Sequence, residues 1–425
     1  MGKRGKIWYY NIDRIQLYNM GNNFRRSKLE VMEQLNVIDQ YFEKIGLKEA
    51  KDRDEFFKEI DAKHGVNLTQ NIDLAMSLRK DTGNGKIYSV KNKDLQTSMD
   101  FAGYYYDLYR EFFTWMIENA DLDGKKILDL GCDNGIATCF LASIYQNAEI
   151  VAVDKSKKGI KCAEEIAAKL GLQNVKFEIV DAKKVDKFFK DQKFDAVVSV
   201  RSMLEITNLP KLKSFWSIDD VEKSLVVANS VVKFFRSLEK VMADDAELIT
   251  FERLEGAEEI LNFVKSMREA GLYIDTESMC KVQFYELDGY EQMPVIVFDK
   301  VARDEIEFGE FIDIYSKLPV LNKNIDVDDD FKIELEFKAI EDKKLVFGTQ
   351  IDYKNGAGSE RREVWQAGDK FVCYKYSNIG RRELVTDVAD KDETIKDIKN
   401  MAGFIGRMGN KVSEYFSVEE REAIK

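Results

Sequence analysis

Histidine is almost missing from this chain of 425 residues: there is one, His64. A reaction needing an imidazole base would have to bring His64 over from the loop-like stretch Asp61-Ala-Lys-His-Gly65. The plainer reading is a surface histidine, with carboxylate, tyrosine and lysine bases still available. Cysteine is sparse as well. Cys132, Cys139, Cys162, Cys280 and Cys373 are dispersed without C-x-x-C spacing. An odd number of scattered thiols fits buried cysteines in a reducing compartment better than a disulfide framework or a zinc site, so no metal is expected. No apolar run reaches the roughly 18 residues of a membrane span. The opening Met1-Gly-Lys-Arg-Gly-Lys-Ile-Trp-Tyr-Tyr10 has charge but no signal-peptide apolar segment, and the expected location is cytoplasmic. Positive charge is not in excess either. The net charge of −12 argues against nonspecific nucleic-acid binding by the whole surface.

What is present is a chain long enough for two or three domains, with one stretch more informative than the rest. Lys126-Ile-Leu-Asp-Leu-Gly-Cys-Asp-Asn-Gly135, followed by Ile136-Ala-Thr-Cys-Phe-Leu-Ala142, reads as a buried strand, a glycine turn and a helix start. Gly131 and Gly135 would let the backbone approach a ligand closely. A dinucleotide site wants G-x-G-x-x-G so that a pyrophosphate can sit on helix amides. Here Asp133 stands at the middle position and Asp129 closes the strand. Two carboxylates would repel phosphate and would suit a ligand carrying an ammonium and a sulfonium. Three more apolar strands follow at helix-sized intervals: Glu149-Ile-Val-Ala-Val-Asp154, Lys176-Phe-Glu-Ile-Val-Asp181 and Phe194-Asp-Ala-Val-Val-Ser-Val200. Two of them end in an acid. Taken singly, such an acid is as well explained by a helix cap or a solvated turn; three in order, counting Asp129, are not.

This pattern resembles the class I S-adenosylmethionine-dependent methyltransferases. The family's D-x-G-x-G-x-G appears as Asp129-x-Gly131-x-Asp133-x-Gly135, with Asp133 as the visible departure. The resemblance implies S-adenosylmethionine as cofactor, with contacts from Asp129, Gly131, Cys132, Asp133, Asn134 and Gly135 in the turn. Asp154 and Lys155 would follow at the ribose, at the spacing where an acid reaches ribose hydroxyls, and Asp181 and Ala182 at the adenine. The fourth strand leads into Arg201-Ser-Met-Leu-Glu205, over the cleft where open α/β sheets bind ligands. It lacks the Asn/Asp-Pro-Pro-aromatic signature of exocyclic-amine methyltransferases and the Pro-Cys nucleophile of cytosine C5 enzymes, which disfavours both substrate classes. Arg201 and Glu205 are the candidate catalytic pair, to orient an acceptor or take its proton; the alternative is a salt bridge between them at the sheet edge.

The expected fold class is α/β: a Rossmann-like, seven-stranded methyltransferase core with a helical amino-terminal region and a small α+β carboxyl-terminal module. The corresponding domains are 1–100, 101–300 and 301–425. Ser27-Lys-Leu-Glu30 reads as a capping box ahead of an amphipathic helix, and Lys80–Lys86 as a loop or hinge. Phe101–Ile117 reads as one aromatic-rich helix whose tyrosines either pack on the sheet or reach the cofactor mouth. Residues 206–218 are expected to form a lid with Phe215 and Trp216 as its apolar contacts, or else ordinary helix-entry packing. Ser217 should then cap a long helix to about Met242. Ala246–Phe251 is the fifth strand, Glu258–Ala270 a helix, and Met279–Leu287 with Met293–Phe298 the final antiparallel pair. In the tail, alternation over Phe331–Phe337 predicts a strand, followed by four more and a helix through Ile395, Ile398, Met401, Phe404 and Ile405.

The functional expectation is methyl transfer to a small-molecule or peptide acceptor, releasing S-adenosylhomocysteine. One alternative is an RNA methyltransferase. Its RNA would be gripped by the basic residues Lys3, Arg4, Lys6, Arg14, Arg25, Arg26 and Lys28 and by Arg361-Arg362 and Arg381-Arg382 near Trp365, Tyr374 and Tyr376. The other is a cofactor-binding sensor or assembly subunit without turnover. No membrane partner is expected.

Overall fold

The computed structural model describes residues 28–72 and 87–424 except 211, 255, 287–288, 325–329 and 355–357, with backbone alone over 28–35. Ser27, the basic side chains of residues 3–28 and the Lys80–Lys86 stretch lie outside the described residues. Eight strands form the larger sheet: β1 (Lys126–Leu130), β2 (Glu149–Asp154), β3 (Val175–Ile179), β4 (Phe194–Val200), β5 (Met242–Phe251), β6 (Tyr273–Glu286), β7 (Gly289–Asp299) and β8 (Val320–Leu321). Their order is β3-β2-β1-β4-β5-β7-β6-β8. Strands β1 to β5 run parallel, whereas β7 enters antiparallel between β5 and β6. The sheet reverses at β1, between β2 and β4, so a crevice opens there at the carboxyl ends of the strands.

These strands read as apolar runs because both faces are covered. Leu128, Val197 and Leu248 pack with Phe235 and Phe263 on one side, while Ile127, Val198 and Ile249 pack with Phe112 and Phe140 on the other. The second layer is built from the helices Lys28–Ile45, Tyr106–Asn119, Ile136–Ile144 and Lys157–Leu170. The amino-terminal region is therefore part of the core's own layer. No helix among the described residues is long and apolar enough to cross a membrane.

Several elements differ from their sequence-based expectation. His64 ends the helix Arg53–His64 rather than lying in a loop. The aromatic segment is two helices, Leu95–Ala102 and Tyr106–Asn119, joined by a 3₁₀ turn. Ser217 does cap, yet the helix expected to reach Met242 is broken, with the helix Asn229–Glu239 following an extended linker. A tertiary contact supports the break: the Val226 N–H donates to Asn262 Oδ1 at 2.8 Å. Met242 already begins β5.

The chain also passes residue 300 without leaving the large core. Phe308, Phe311 and Ile312 of the helix Phe308–Lys317 are buried in it, and β8 extends the sheet parallel to β6 as an eighth strand. The segment expected as a strand at 331–337 is the helix Asp330–Ala339. Its buried Phe331, Glu334 and Phe337 recur every three residues, a helical spacing that the alternation of charged and apolar residues masks. Phe331 belongs to the large core and Phe337 to the smaller one.

The smaller sheet is β9 (Lys343–Asp352), β10 (Ser359–Ala367), β11 (Lys370–Ser377), β12 (Arg382–Val385) and β13 (Lys411–Tyr415), in the antiparallel order β12-β11-β10-β9-β13. Helix Lys391–Arg407 covers one face through Ile398, and Asp330–Ala339 covers the other through Phe337.

Candidate active site

The site is built at the carboxyl end of β1. The N–H groups of Gly131 and Cys132 both donate to the Val153 carbonyl, at 2.8 and 3.1 Å, which ties the turn to β2. Gly131 and Gly135 have φ of 79° and 78°, and neither has room for a side chain. A Cβ at Gly131 would sit 2.4 Å from the Cβ of Ser202, and one at Gly135 would sit 2.4 Å from that of Ala163. Asp133, where the resemblance places a glycine, also has a positive φ of 48°. An L-residue there costs roughly 1 kcal/mol, so its carboxylate must return something.

Part of that return is visible in its contacts. Asp133 Oδ2 is 2.6 Å from Lys91 Nζ, and Asn92 Nδ2 donates to Oδ1 at 2.5 Å. Lys91 ends the short helix Ile87–Lys91, which is strapped across the turn by further bonds. Lys158 Nζ donates to the Ser89 carbonyl at 2.9 Å. Ser98 Oγ donates to Asn92 Oδ1, and Asn134 Nδ2 to Ser98 Oγ, each at 2.9 Å. Burial works to lower the Lys91 pKa, but the Asp133 carboxylate, with Tyr109 and Tyr105, raises it overall, and Lys91 stays an ammonium.

Asp154 ends β2 half-buried and faces the same turn. Its carboxylate accepts from the Asp133 N–H at 3.1 Å and the Ser156 N–H at 2.7 Å. Burial, then repulsion from Asp133, raises its pKa. Asp129, in contrast, is 2 % exposed and accepts from Thr138 Oγ1. Burial pushes its carboxyl up to about 7, and through Thr138 it braces the turn from inside. Cys132, Asn134 and Ala182 are buried, whereas Lys155 and Asp181 are exposed. Asp181 accepts from the Lys183 N–H at 3.1 Å and so acts as a cap in this structure.

On the other side of the crevice, Arg201 and Glu205 do not pair with each other. Arg201 Nη1 lies 3.0 Å from Glu286 Oε1 and its guanidinium 4.6 Å from the centre of the Tyr105 ring. Glu205 is exposed and accepts from Tyr88 Oη. The alternative of a salt bridge between them is thus not what forms; each has its own anchor. Of the aromatic cluster, Phe112, Phe113 and Trp115 are core, while Tyr105 and Tyr109 stand by Lys91 and Arg201. Burial pushes the Tyr109 hydroxyl up to about 12.

Glu252, one residue past β5, organises the approach to Arg201. It is fully buried and accepts from Ser199 Oγ at 2.9 Å and from the N–H groups of Ser202 and Met203 at 3.1 and 3.0 Å. Burial raises its pKa to about 7. Sequence reasoning missed Glu252, although a carboxylate directly after the strand Ala246–Phe251 continues the acid-ended pattern. It also missed Lys91, Asn92 and Tyr88, which no local pattern marks.

Three expected site features are not at the crevice. His64 Nε2 is 2.8 Å from Asp100 Oδ2, tying two amino-terminal helices together. Phe215 and Trp216 join the two sheets instead of forming a lid: the Phe215 ring is buried in the large core and Trp216 packs on the small one. The Phe215 N–H donates to the Asn378 carbonyl at 3.0 Å, and Trp216 sits 4.1 Å from the Arg361 guanidinium and against Tyr376. Arg361 and Arg382 are buried, the latter paired with Glu334 at 2.9 Å, and Trp365, Tyr374 and Tyr376 are core. The supposed basic and aromatic patch is thus mostly interior. Among the described residues no three His, Cys, Asp or Glu side chains come together as a metal site.

The strand order and the glycine turn with its ordered acids define the class I methyltransferase arrangement. Residues 121–271 match the family model described as "Methyltransferase domain", and that stretch of the chain is a methyltransferase domain whose strands have the class I order. Among curated proteins it is 25% identical over 205 residues to "Probable (S)-tetrahydroprotoberberine N-methyltransferase 2" of Papaver bracteatum, covering 43% of this chain and 56% of that protein. It is 27% identical over 183 residues to (S)-coclaurine N-methyltransferase of Papaver somniferum, covering 37% and 50%. It is 33% identical over 89 residues to ribosomal RNA small subunit methyltransferase G of Bacteroides thetaiotaomicron, covering 21% and 40%. The chain spans about half the length of these relatives. Among solved structures, a SAM-dependent methyltransferase from Aquifex aeolicus is 16% identical at a TM-score of 0.31, covering 43% of this chain and 87% of that one. The strand order, not this likeness, defines the fold.

Proposed function

We propose that this protein transfers a methyl group from S-adenosylmethionine to a small-molecule or peptide acceptor and releases S-adenosylhomocysteine. The observation that carries the reading is Asp154, a half-buried carboxylate held by two backbone N–H groups at the glycine turn that closes β1. That carboxylate suits the ribose diol of an adenosine, and the Lys91–Asp133 pair beside it suits a zwitterion. Bound there, the cofactor supplies a methyl carbon made electrophilic by the attached sulfonium.

The chain's own residues position the partners, which is most of what an in-line methyl displacement requires. Asp154 accepts from the ribose hydroxyls, with Lys155 beside it, and Asp181 with Ala182 borders the adenine. Tyr105 and Tyr109 wall the crevice against water. Arg201, fixed by Glu286 and Tyr105, orients the acceptor, and Glu205 takes a proton from an acceptor that loses one as it attacks. Two relatives are named as N-methyltransferases, so amine acceptors are the first to test.

The RNA reading loses Arg361 and Arg382 of the small sheet, which are committed to interior partners, and keeps only the exposed Arg381 and the partly exposed Arg362 there. The test is transfer of labelled methyl from S-adenosylmethionine to panels of amines, hydroxy compounds, peptides and RNA. Label in an amine or peptide pool supports the proposal. Label confined to RNA selects the alternative, and no transfer despite cofactor binding selects the sensor.

A further inference from the structure

Asp133 has both carboxylate oxygens engaged by the strap, Oδ2 by Lys91 at 2.6 Å and Oδ1 by Asn92 at 2.5 Å. Holding down a short helix does not by itself require a lysine, because Asn92, Lys158 and the Ser98–Asn134 link already do so. Lys91 is also well enclosed, at 24 % side-chain exposure. Its ammonium lies 4.8 Å from the centre of the Tyr88 ring, with Tyr105 and Tyr109 close enough to act on its charge. Asp133, with Tyr109 and Tyr105, outweighs the desolvation of the ammonium, so Lys91 presents a held positive charge beside the turn. Of its three N–H donors, one is accounted for by Asp133.

Resting on the cofactor reading above, we propose that Lys91 is the counter-charge for the carboxylate of the cofactor's methionine end, with Asp133 holding the lysine in place and facing the adjoining ammonium. The methionine end is a zwitterion, so a protein ion pair laid antiparallel to it satisfies both charges without a net change at the site. It also explains an acid at position 133, where the backbone conformation favours glycine: a glycine there would leave the lysine unpaired. The strap then reads the amino-acid end of the ligand while Asp154 reads the sugar.

The test is calorimetric titration of the full chain and of Lys91→Met with S-adenosylhomocysteine and with its decarboxylated analogue, which keeps the amine. The wild-type protein is expected to prefer S-adenosylhomocysteine by roughly ten- to a hundredfold, the range for a hydrogen bond to a charged group. Lys91→Met should erase that preference by weakening S-adenosylhomocysteine alone; affinity for the decarboxylated ligand should hold or rise, because Asp133 is left facing its amine, and its retention shows that the strap is intact. Lys91→Arg should restore most of it. An unaltered preference in Lys91→Met overturns the assignment. Tighter binding of both ligands by Lys91→Met also overturns it, and makes Lys91 a latch that competes with the ligand's ammonium. If the wild-type protein binds neither ligand, the cofactor reading itself falls.

Discussion

At the scale of single residues, the site is a set of carboxylates given different tasks by their surroundings. Asp154 is half-buried and already receives two backbone N–H groups, so its carboxyl is fixed in place before a ligand arrives. Removing it in Asp154→Ala is expected to weaken S-adenosylhomocysteine binding by on the order of 1.5–3 kcal/mol, read by calorimetry, with Asp154→Asn intermediate. Glu252 is fully buried and its carboxyl is pushed up to about 7. The sign of the consequence follows from linkage. Between the ordinary carboxylate value and about 7 the folded state keeps a proton that the unfolded chain has released. Stability therefore falls as pH rises through that window, by about 3 kcal/mol at most for this one group. Asp129 and Glu258, also near 7 through burial, act in the same direction. Glu252→Gln cannot titrate, so urea midpoints at about pH 5 and about pH 8 should show the variant gaining on the wild-type protein at the higher pH. Parallel midpoints would show that Glu252 does not hold its proton in the folded state.

At the scale of elements, the acid-ended strands were legible because each pairs a short apolar run with the residue that follows it. The glycine turn was legible for the same local reason. The strap was not, since Asn92 meets Asp133 across 41 residues and nothing near Lys91 announces its partner. Helix Asp330–Ala339 was misread for a related cause. Glu334 looks like a solvent-facing residue of an alternating strand, yet it is buried by Arg382, Ser217 Oγ and the Ile218 N–H. The segment read as a lid is the element that joins the two sheets. Trp216, wedged between Arg361 and Tyr376, is its main contact. Trp216→Ala is expected to destabilise the protein by about 2 kcal/mol, below the cost of a fully buried tryptophan, and to open residues 208–217 to limited proteolysis. Affinity for S-adenosylhomocysteine should stay within about twofold, because additivity holds for separate sites. A large loss of that affinity would mean that the joint also shapes the cofactor side.

At the scale of the whole molecule, the amino-terminal helices complete one layer of the large core and supply the strap and the tyrosine wall. The small antiparallel sheet docks on the segment that follows Arg201 and Glu205, on the acceptor side. One end of the crevice is thus set by residues before β1, while the small sheet is joined to the large core through residues 215–217. The large sheet was readable from sequence because class I strand order follows from repeated strand and helix units. The division of labour around it was not, because it depends on contacts between distant parts of the chain. The central claim is that the crevice at the end of β1 takes S-adenosylmethionine. Its most direct test is parallel calorimetric titration of the purified protein with S-adenosylmethionine, S-adenosylhomocysteine and NAD. Binding of the first two at roughly micromolar Kd, with no heat from NAD, is the predicted result; binding of NAD alone, or of none of the three, would contradict it.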